Sequence, residues 1–341
     1  MLRPMSAPRT DPALQAALDA CADDSALYLR SGLSLANHLP MVLHATSALG
    51  GGVDALARHR AHWAPRLAVQ DAAERAEVAH FETLLAAHGP RHVLRVHLPT
   101  LLECPQASAF HGPIRVSHAW QSGHSGELAR ALGSWRQGLF ELGTRAEAVP
   151  DAARSPVLRE VLAAAGRTPE LAVAAREGTT IIADMRVVAA LPAYERWAEG
   201  DRAPADAALT VDALAEASLA VYLACRDFTA LHLVTGLHAW RVLADVLAAP
   251  PAAPGIVAAA PPTSAARALW RAWLAAWLSI GAPAPDWAAV RTGTASEADW
   301  DDARPALLNS LDDHRVKLAF SARAEWRHRG WAGYARVLAP G

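Results

Sequence analysis

The chain has 341 residues, of which 52% are hydrophobic and 19% charged, with a formal net charge of −2, which allows one large domain or two moderate ones. The near-neutral charge argues against nonspecific nucleic-acid binding, and the hydrophobic content argues against intrinsic disorder. No apolar run reaches the roughly 20 residues that span a bilayer, no secretory signal is recognised, and three widely spaced cysteines suit a reducing compartment. We therefore expect a cytoplasmic protein that binds neither nucleic acid nor membrane.

Apolar residues recur at helical spacing along most of the chain. Asp11 and Pro12 predict the start of a first helix, as an N-cap followed by proline at the first helical position. Asn37 predicts the cap of a second helix, which stops at the glycines 50–52. Further helices are expected over 71–87, 114–142, 156–165, 211–249, 264–280 and 307–326. Proline- or glycine-rich connectors are expected over 88–112, 250–262 and 281–296, and the only plausible strand over 178–191.

This pattern predicts an all-α fold, because β-branched residues are sparse and strands do not alternate with helices as a doubly wound fold requires. No internal repeat of fixed period is found. The proline-rich segment 250–262 has the composition of a linker, but the helices on either side are too few to form separate cores. We therefore predict a single large helical-bundle-like domain with the active site between its core helices.

Two short motifs resemble known sites without the required context. Residues 50–55 match the spacing of a dinucleotide-binding fingerprint, but a predicted helix rather than a strand precedes them. Residues 123–127 resemble a nucleophile elbow that lacks its second glycine. His59 and His62 lie among arginines and are expected on a solvated helix face. No pair of cysteines and no His-Glu-x-x-His run with zinc-ligand spacing is present.

Lysine is nearly absent from the chain. Lys and Arg together number 32, and Lys317 is the single lysine among them. The composition suggests that arginine replaces lysine wherever a positive charge suffices. The one remaining lysine is then either a chance survivor or a residue whose chemistry a guanidinium group cannot perform. Only an amine is readily deprotonated to become a nucleophile. Both interpretations stay open at this point, including an ordinary ion pair of Lys317 with Asp312 or Asp313.

Several histidines lie in apolar helical surroundings rather than among charged residues. Imidazole is the commonest side-chain ligand of transition metals, and helices of a bundle can bring several together. For each one taken singly, a buried histidine bonded to a carbonyl oxygen is the simpler interpretation. The group consists of His38, His111, His118, His232, His238 and His314.

Helical geometry ranks these histidines. His314 and Lys317 are three residues apart and share a helix face. His111 and His118 are seven apart and lie about 10 Å from each other along the axis, which makes joint ligation of one ion difficult. His232 and His238 are six apart, about 120° from each other around an ideal helix. We predict that the helix deforms between them, at residues 235–236, if both reach one metal.

Four motifs in order together resemble the questin oxidase-like family, over roughly residues 25–330. They are Asn37-His38-x-Pro40-Met41, Phe110-His111-Gly112-x-Ile114-Arg115, His232-x-Val234-Thr235-Gly236-x-His238-Ala239 and His314-x-Val316-Lys317-Leu318. The resemblance implies an oxidoreductase that performs ring-opening or Baeyer–Villiger-type oxygenation of aromatic or quinone polyketide-like substrates with dioxygen. It divides the chain into an N-terminal extension with a first helix (1–24), the all-α domain (25–330) and a C-terminal tail (331–341).

The resemblance also implies a non-haem iron centre. Its ligands would be His38, His111, His232, His238 and a carboxylated Lys317, with His314 or His118 as replacement ligands or acid/base groups. A lysine carbamate is an oxygen-donor anion that suits such a metal, and arginine cannot form one. The ligand types favour Fe(II), while Mn, Co and Zn stay open. Arg115 is expected to hold either an anionic substrate oxygen or a carboxylate.

Two alternative functions remain. In one, the protein is an NADPH-dependent monooxygenase without a metal, and the histidines are acid/base groups. In the other, it is a non-catalytic helical ligand-binding protein. Six tryptophans are candidates for an apolar substrate pocket, although the spacing of the last three also describes a core stripe. They are Trp120, Trp135, Trp240, Trp270, Trp273 and Trp277.

Overall fold

The computed structural model describes residues 11–28, 34–143, 150–172, 180–249 and 262–339. These residues are predominantly α-helical, as the sequence predicts. The helices are α1 (Pro12–Asp19), α2 (Leu39–Ala48), α3 (Val53–Trp63), α4 (Ala72–His88), α5 (Pro90–Leu101), α6 (His111–Ser122), α7 (Ser125–Gln137), α8 (Leu158–Ala165), α9 (Ile181–Ala189), α10 (Tyr194–Ala198), α11 (Val211–Cys225), α12 (Phe228–Ala248), α13 (Thr263–Ser279), α14 (Trp287–Arg291), α15 (Glu297–Asn309) and α16 (Asp313–Arg329). Short 3-10 helices connect some of them.

A small antiparallel sheet was not predicted from the sequence. It has the order β2 (Ser34–Leu35), β1 (Asp24–Tyr28), β3 (Leu67–Val69). These strands are too short to leave a clear alternation of apolar and polar residues, which explains why the sequence did not reveal them. The expected strand over 178–191 is wrong in its described part, where α9 begins after Thr180. The Thr180 hydroxyl accepts a hydrogen bond from the Ala183 amide and caps that helix.

The predicted starts of the helices agree with the structure better than their predicted lengths do. The Asp11 carboxylate accepts a hydrogen bond from the Ala13 amide and begins α1. The expected helix over 114–142 is two helices, since Gly123 takes a left-handed conformation that ends α6. The expected helix over 211–249 is also divided, at Arg226, whose φ is 52°.

The connectors contain more structure than expected. The connector expected over 88–112 contains α5, and that over 281–296 contains α14. Residues 307–309 belong to α15, so the helix expected over 307–326 begins only at residue 313. The segment expected as a tail contains a 3-10 helix, Ala332–Leu338, packed against α16. Most of the candidate linker, residues 250–261, lies outside the described residues.

Four helices form a closed ring in the core. Helix α2 packs on α6, α6 on α12, α12 on α16, and α16 again on α2. Two glycines permit close contacts of the ring helices, Gly112 with Trp135 on the neighbouring α7 and Gly236 with Phe110 just before α6. A Cβ on Gly112 would lie 2.6 Å from the Trp135 ring, and one on Gly236 would lie 3.3 Å from the Cβ of Phe110. The deformation at residues 235–236 was expected only if His232 and His238 reached one metal; α12 is a continuous α-helix, and Gly236 packs against Phe110.

No helix in the described part of the chain is long and apolar enough to cross a membrane. His59 corrects another expectation, since it lies buried, with 1% of its surface exposed, rather than on a solvated face.

Candidate functional site

Four imidazoles, one from each helix of the ring, meet in the interior. They belong to His38, His111, His232 and His314. The ring centroids of His38 and His111 are 4.4 Å apart, and those of His38 and His314 are 4.7 Å apart. His232 lies 4.9 Å from His111 and 5.4 Å from His314 by the same measure. One ring nitrogen from each of His38, His111 and His314 lies within 4.8 Å of the other two. We call these four residues the first histidine group.

Every imidazole of the first histidine group has its Nδ1 atom held by an oxygen acceptor. Asp313 accepts from His38 at 2.7 Å, and its other oxygen lies 3.2 Å from His314 Nδ1. The carbonyl oxygens of Ser108 and Phe228 accept from His111 at 2.5 Å and from His232 at 2.8 Å. The Nε2 atoms of His111 and His314 are buried without a hydrogen-bond partner. This arrangement fixes the proton on Nδ1 and leaves the Nε2 lone pair available, as in histidines that ligate metals.

Helix N-termini surround this group. His38 precedes the first residue of α2, His111 is the first residue of α6, and His314 is the second residue of α16. Unpaired amides and the macrodipole give such ends a partial positive charge, which favours anions and disfavours protonated imidazole. The site is therefore prepared for negative charge.

The turn before His111 is strained. Ser108, Ala109 and Phe110 have φ values of 51°, 56° and 68°. A left-handed conformation costs L-residues roughly 1–2 kcal/mol each. It directs the Ser108 carbonyl at His111 Nδ1. Such strain is typical of functional sites and is maintained by the surrounding structure.

Lys317 lies in the same interior, one helical turn beyond Asp313. Its side chain is 4% exposed, and its Nζ lies 3.0 Å from Asp313 Oδ2. Burial lowers the pKa of Lys317, although Asp313 opposes the shift. Burial alone would raise the pKa of Asp313, but Lys317, His314 and His38 together hold it well below its usual value. One carboxylate thus orients two imidazoles and the single lysine.

Burial keeps the imidazoles neutral. It lowers the pKa of His38 to about 3, and it lowers the pKa of His111 and of His232 well below the usual value. The pKa of His314 is lowered too, by burial and then by the charge on Lys317. Neutral imidazole is the form that binds a metal.

Two of the sequence-predicted residues lie elsewhere. His118 and His238 form a second histidine group with His44, farther along the same helices. His44 Nδ1 lies 2.8 Å from His118 Nδ1, and His238 Nδ1 lies 2.7 Å from Glu325 Oε1. The rings of all three histidines lie against Phe320, with centroid distances of 5.1, 5.0 and 5.5 Å.

Arg115 binds a carboxylate of the protein. Its Nε and Nη2 donate to the two oxygens of Glu127, at 2.7 and 3.3 Å, and Arg130 binds the same carboxylate. Both guanidinium groups line a polar cavity of about 180 Å³. Asn37 and Ser108 also line it, so the cavity adjoins the segments that present His38 and His111.

Five of the six candidate tryptophans are buried, and only Trp120 among them is partly exposed. Trp270, Trp273 and Trp277 stack in sequence, with ring centroids 5.8 Å apart at each step. All three are buried, and each indole N–H donates to an oxygen of the protein. They form a core stripe, the simpler of the two interpretations of their spacing. Trp135 is also buried and packs beneath Gly112.

Sequence reasoning missed His44, Asp313 and Glu325 as members of the site. Asp313 had been considered only as an ion-pair partner of Lys317, four residues away. His44 and Glu325 carry no local signal, because their partners are 74 and 87 residues distant along the chain.

The fold and the site define a predominantly α-helical protein with an interior centre of imidazoles whose pKa values are lowered by burial. The sequence model of the questin oxidase-like family matches residues 35–322. The chain therefore belongs to the questin oxidase-like family, and it is an oxidoreductase. A search of the curated proteins finds no match to this chain.

Proposed function

We propose that the protein is a metal-dependent oxygenase whose iron is held by the first histidine group and Lys317. The observation that carries this proposal is that all four imidazoles have Nδ1 held by an oxygen. Burial also lowers the pKa of each one. The unpartnered Nε2 atoms of His111 and His314 fit a metal, since buried polar atoms are rarely left without a partner. Compared with the ligand set expected from sequence, His314 replaces His238.

Lys317 would supply the fifth ligand as a carbamate. Its amine is buried next to the imidazoles, and burial favours the neutral form that adds carbon dioxide. A carbamate beside Asp313 places two anions together, and a divalent metal offsets that repulsion. Four imidazoles and one oxygen anion favour Fe(II). Bound there, iron would supply one-electron redox chemistry with dioxygen.

The residues around the centre have separable tasks. Asp313 holds the imidazole protons on Nδ1 and so orients two ligands. The helix N-termini stabilise negative charge that develops on the reactants. The ring of Phe228 is half exposed and packs on His232 and His314, at 4.8 and 4.6 Å. It shields the site from water and presents an apolar face to an aromatic substrate, the class that the family resemblance implies.

The test is metal analysis combined with oxygen uptake. Protein purified without chelator is expected to contain about one iron per chain and to consume dioxygen with a hydroxylated quinone or anthraquinone. His111→Ala and His232→Ala are expected to lose the iron. His80→Ala is the matched control, because His80 is exposed on α4.

Two results would contradict the proposal. NADPH consumption with substrate but without bound metal would favour the metal-free monooxygenase. Ligand binding without any oxygen uptake in the iron-loaded protein would favour a non-catalytic role.

A further inference from the structure

The four helices of the ring each carry a second buried polar residue about two turns after the first. The spacing is six or seven residues, a rise of about 9–10 Å along each axis. The pairs are His38, which caps α2, with His44 inside it, His111 and His118 on α6, His232 and His238 on α12, and His314 and Ser321 on α16. The ring therefore contains two polar layers, and the proposed iron centre occupies only the first.

The second layer resembles the first, since each imidazole has a partner for its Nδ1 atom, although the partner of His118 is a ring nitrogen rather than an oxygen. The Nδ1 atom of His118 lies within hydrogen-bond distance of His44 Nδ1, and the Nδ1 atom of His238 lies within hydrogen-bond distance of Glu325. The Nε2 atoms of His118 and His238 are both buried and without a hydrogen-bond partner, and so is the hydroxyl of Ser321. Each of these three residues exposes at most 2% of its surface.

The imidazoles of His118 and His238 meet at one residue in the interior. The rings of His118 and His238 both contact Phe320, the neighbour of Ser321. Helices α6 and α12 thus bring the imidazoles of His118 and His238 to the same side chain of α16, the helix that also carries Ser321. Leaving such atoms unpaired in the core costs stability, so a ligand for them is expected.

We propose that His118, His238 and Ser321 form a second metal site, for a divalent transition-metal ion. Imidazole nitrogen selects Zn, Fe, Co or Ni over Mg or Ca. Glu325 orients His238 as Asp313 orients His38, the carboxylate–imidazole arrangement common behind metal ligands. The second ion binds more weakly than the first, because it has two imidazoles instead of four.

Lys317 stands between the two layers. On α16 it follows His314 and precedes Ser321 by one turn, and its charge acts on His111 and on His118. The second site does not rest on the proposed function, because none of its residues belongs to the first histidine group and none requires a carbamate on Lys317.

Cobalt binding to the metal-free full-length protein tests the site. We expect two Co(II) per chain at saturation, counted by elemental analysis after gel filtration and followed by the visible absorption of cobalt. His118→Gln and His238→Gln are expected to retain one cobalt, with at least a tenfold loss of affinity for the second. His111→Gln should instead weaken the first, and exposed His80→Ala should retain both.

The outcomes separate the two proposals. Loss of the second cobalt only in the His118 and His238 variants supports the second site, even if iron analysis refutes the first. One cobalt per chain in the native protein and in both variants overturns it. A crystal structure at saturating cobalt with a water molecule bridging His118 and His238 also overturns it. Circular dichroism and melting temperature identify any variant that fails to fold, and Ser321→Ala then provides the second test.

Discussion

Replacing Asp313 tests the organisation of the site most directly. The carboxylate is 3% exposed and bonds His38 at 2.7 Å and Lys317 at 3.0 Å, with His314 at 3.2 Å. In Asp313→Ala the amine of Lys317 remains buried without its counter-ion. Breaking a buried pair in this way costs about 3–5 kcal/mol. Asp313→Asn keeps an acceptor for one imidazole and is expected to cost less, about 1–3 kcal/mol.

Urea denaturation of the metal-free protein at pH 7 measures this difference in unfolding free energy. Asp301→Ala is the matched control, since that carboxylate is half exposed and its pair with Arg304 is worth about 0–1 kcal/mol. A loss of under about 1 kcal/mol in Asp313→Ala would refute the argument, because it would mean that Lys317 is not dependent on this carboxylate.

The pH dependence gives an independent check. The pKa of Asp313 is depressed in the folded protein, so its stabilising effect is complete above its unfolded pKa and is lost as the pH falls toward the folded pKa. The stability difference between native protein and Asp313→Asn should therefore stay constant between pH 7 and 5 and narrow only below about pH 4. A difference that narrows already near pH 6 would contradict the depressed pKa.

Three further outcomes are expected. The buried imidazoles have depressed pKa values, so the unfolded chain binds more protons below pH 6.5 and the stability falls on acidification. His38 and His44, with pKa values of about 3, each contribute a slope that rises from about 0.7 kcal/mol per pH unit at pH 6.5 to about 1.4 near pH 5. A urea midpoint that stays constant between pH 6.5 and 5 would exclude this. Gly112→Ala places a Cβ against the Trp135 ring and should destabilise the folded protein by about 1–3 kcal/mol, which thermal melts would detect. An unchanged melting temperature would indicate that the ring can move aside. Phe228→Ala should alter stability little but accelerate release of bound metal to a chelator, because the half-exposed ring covers His232; equal release rates would assign it no shielding role.

The helices and many of their ends are local properties of the sequence. Asp11 caps its own helix through the amide two residues on, and the glycines 50–52 stop the second helix wherever the rest of the chain lies. The short strands and the helix after Thr180 were not predicted because each contains too few residues for its hydrophobic periodicity to be recognised.

The six conspicuous histidines and the single lysine were visible in the sequence, but their division into two layers was not. Residues seven apart lie nearly on one helix face and residues six apart lie about 120° from each other, and in both cases they are about 9–10 Å apart along the axis. Which of them meet depends on where the other three helices of the ring place their own histidines. The tertiary structure alone decided that His314 joins His38, while His238 turns to Glu325 and His118 to His44.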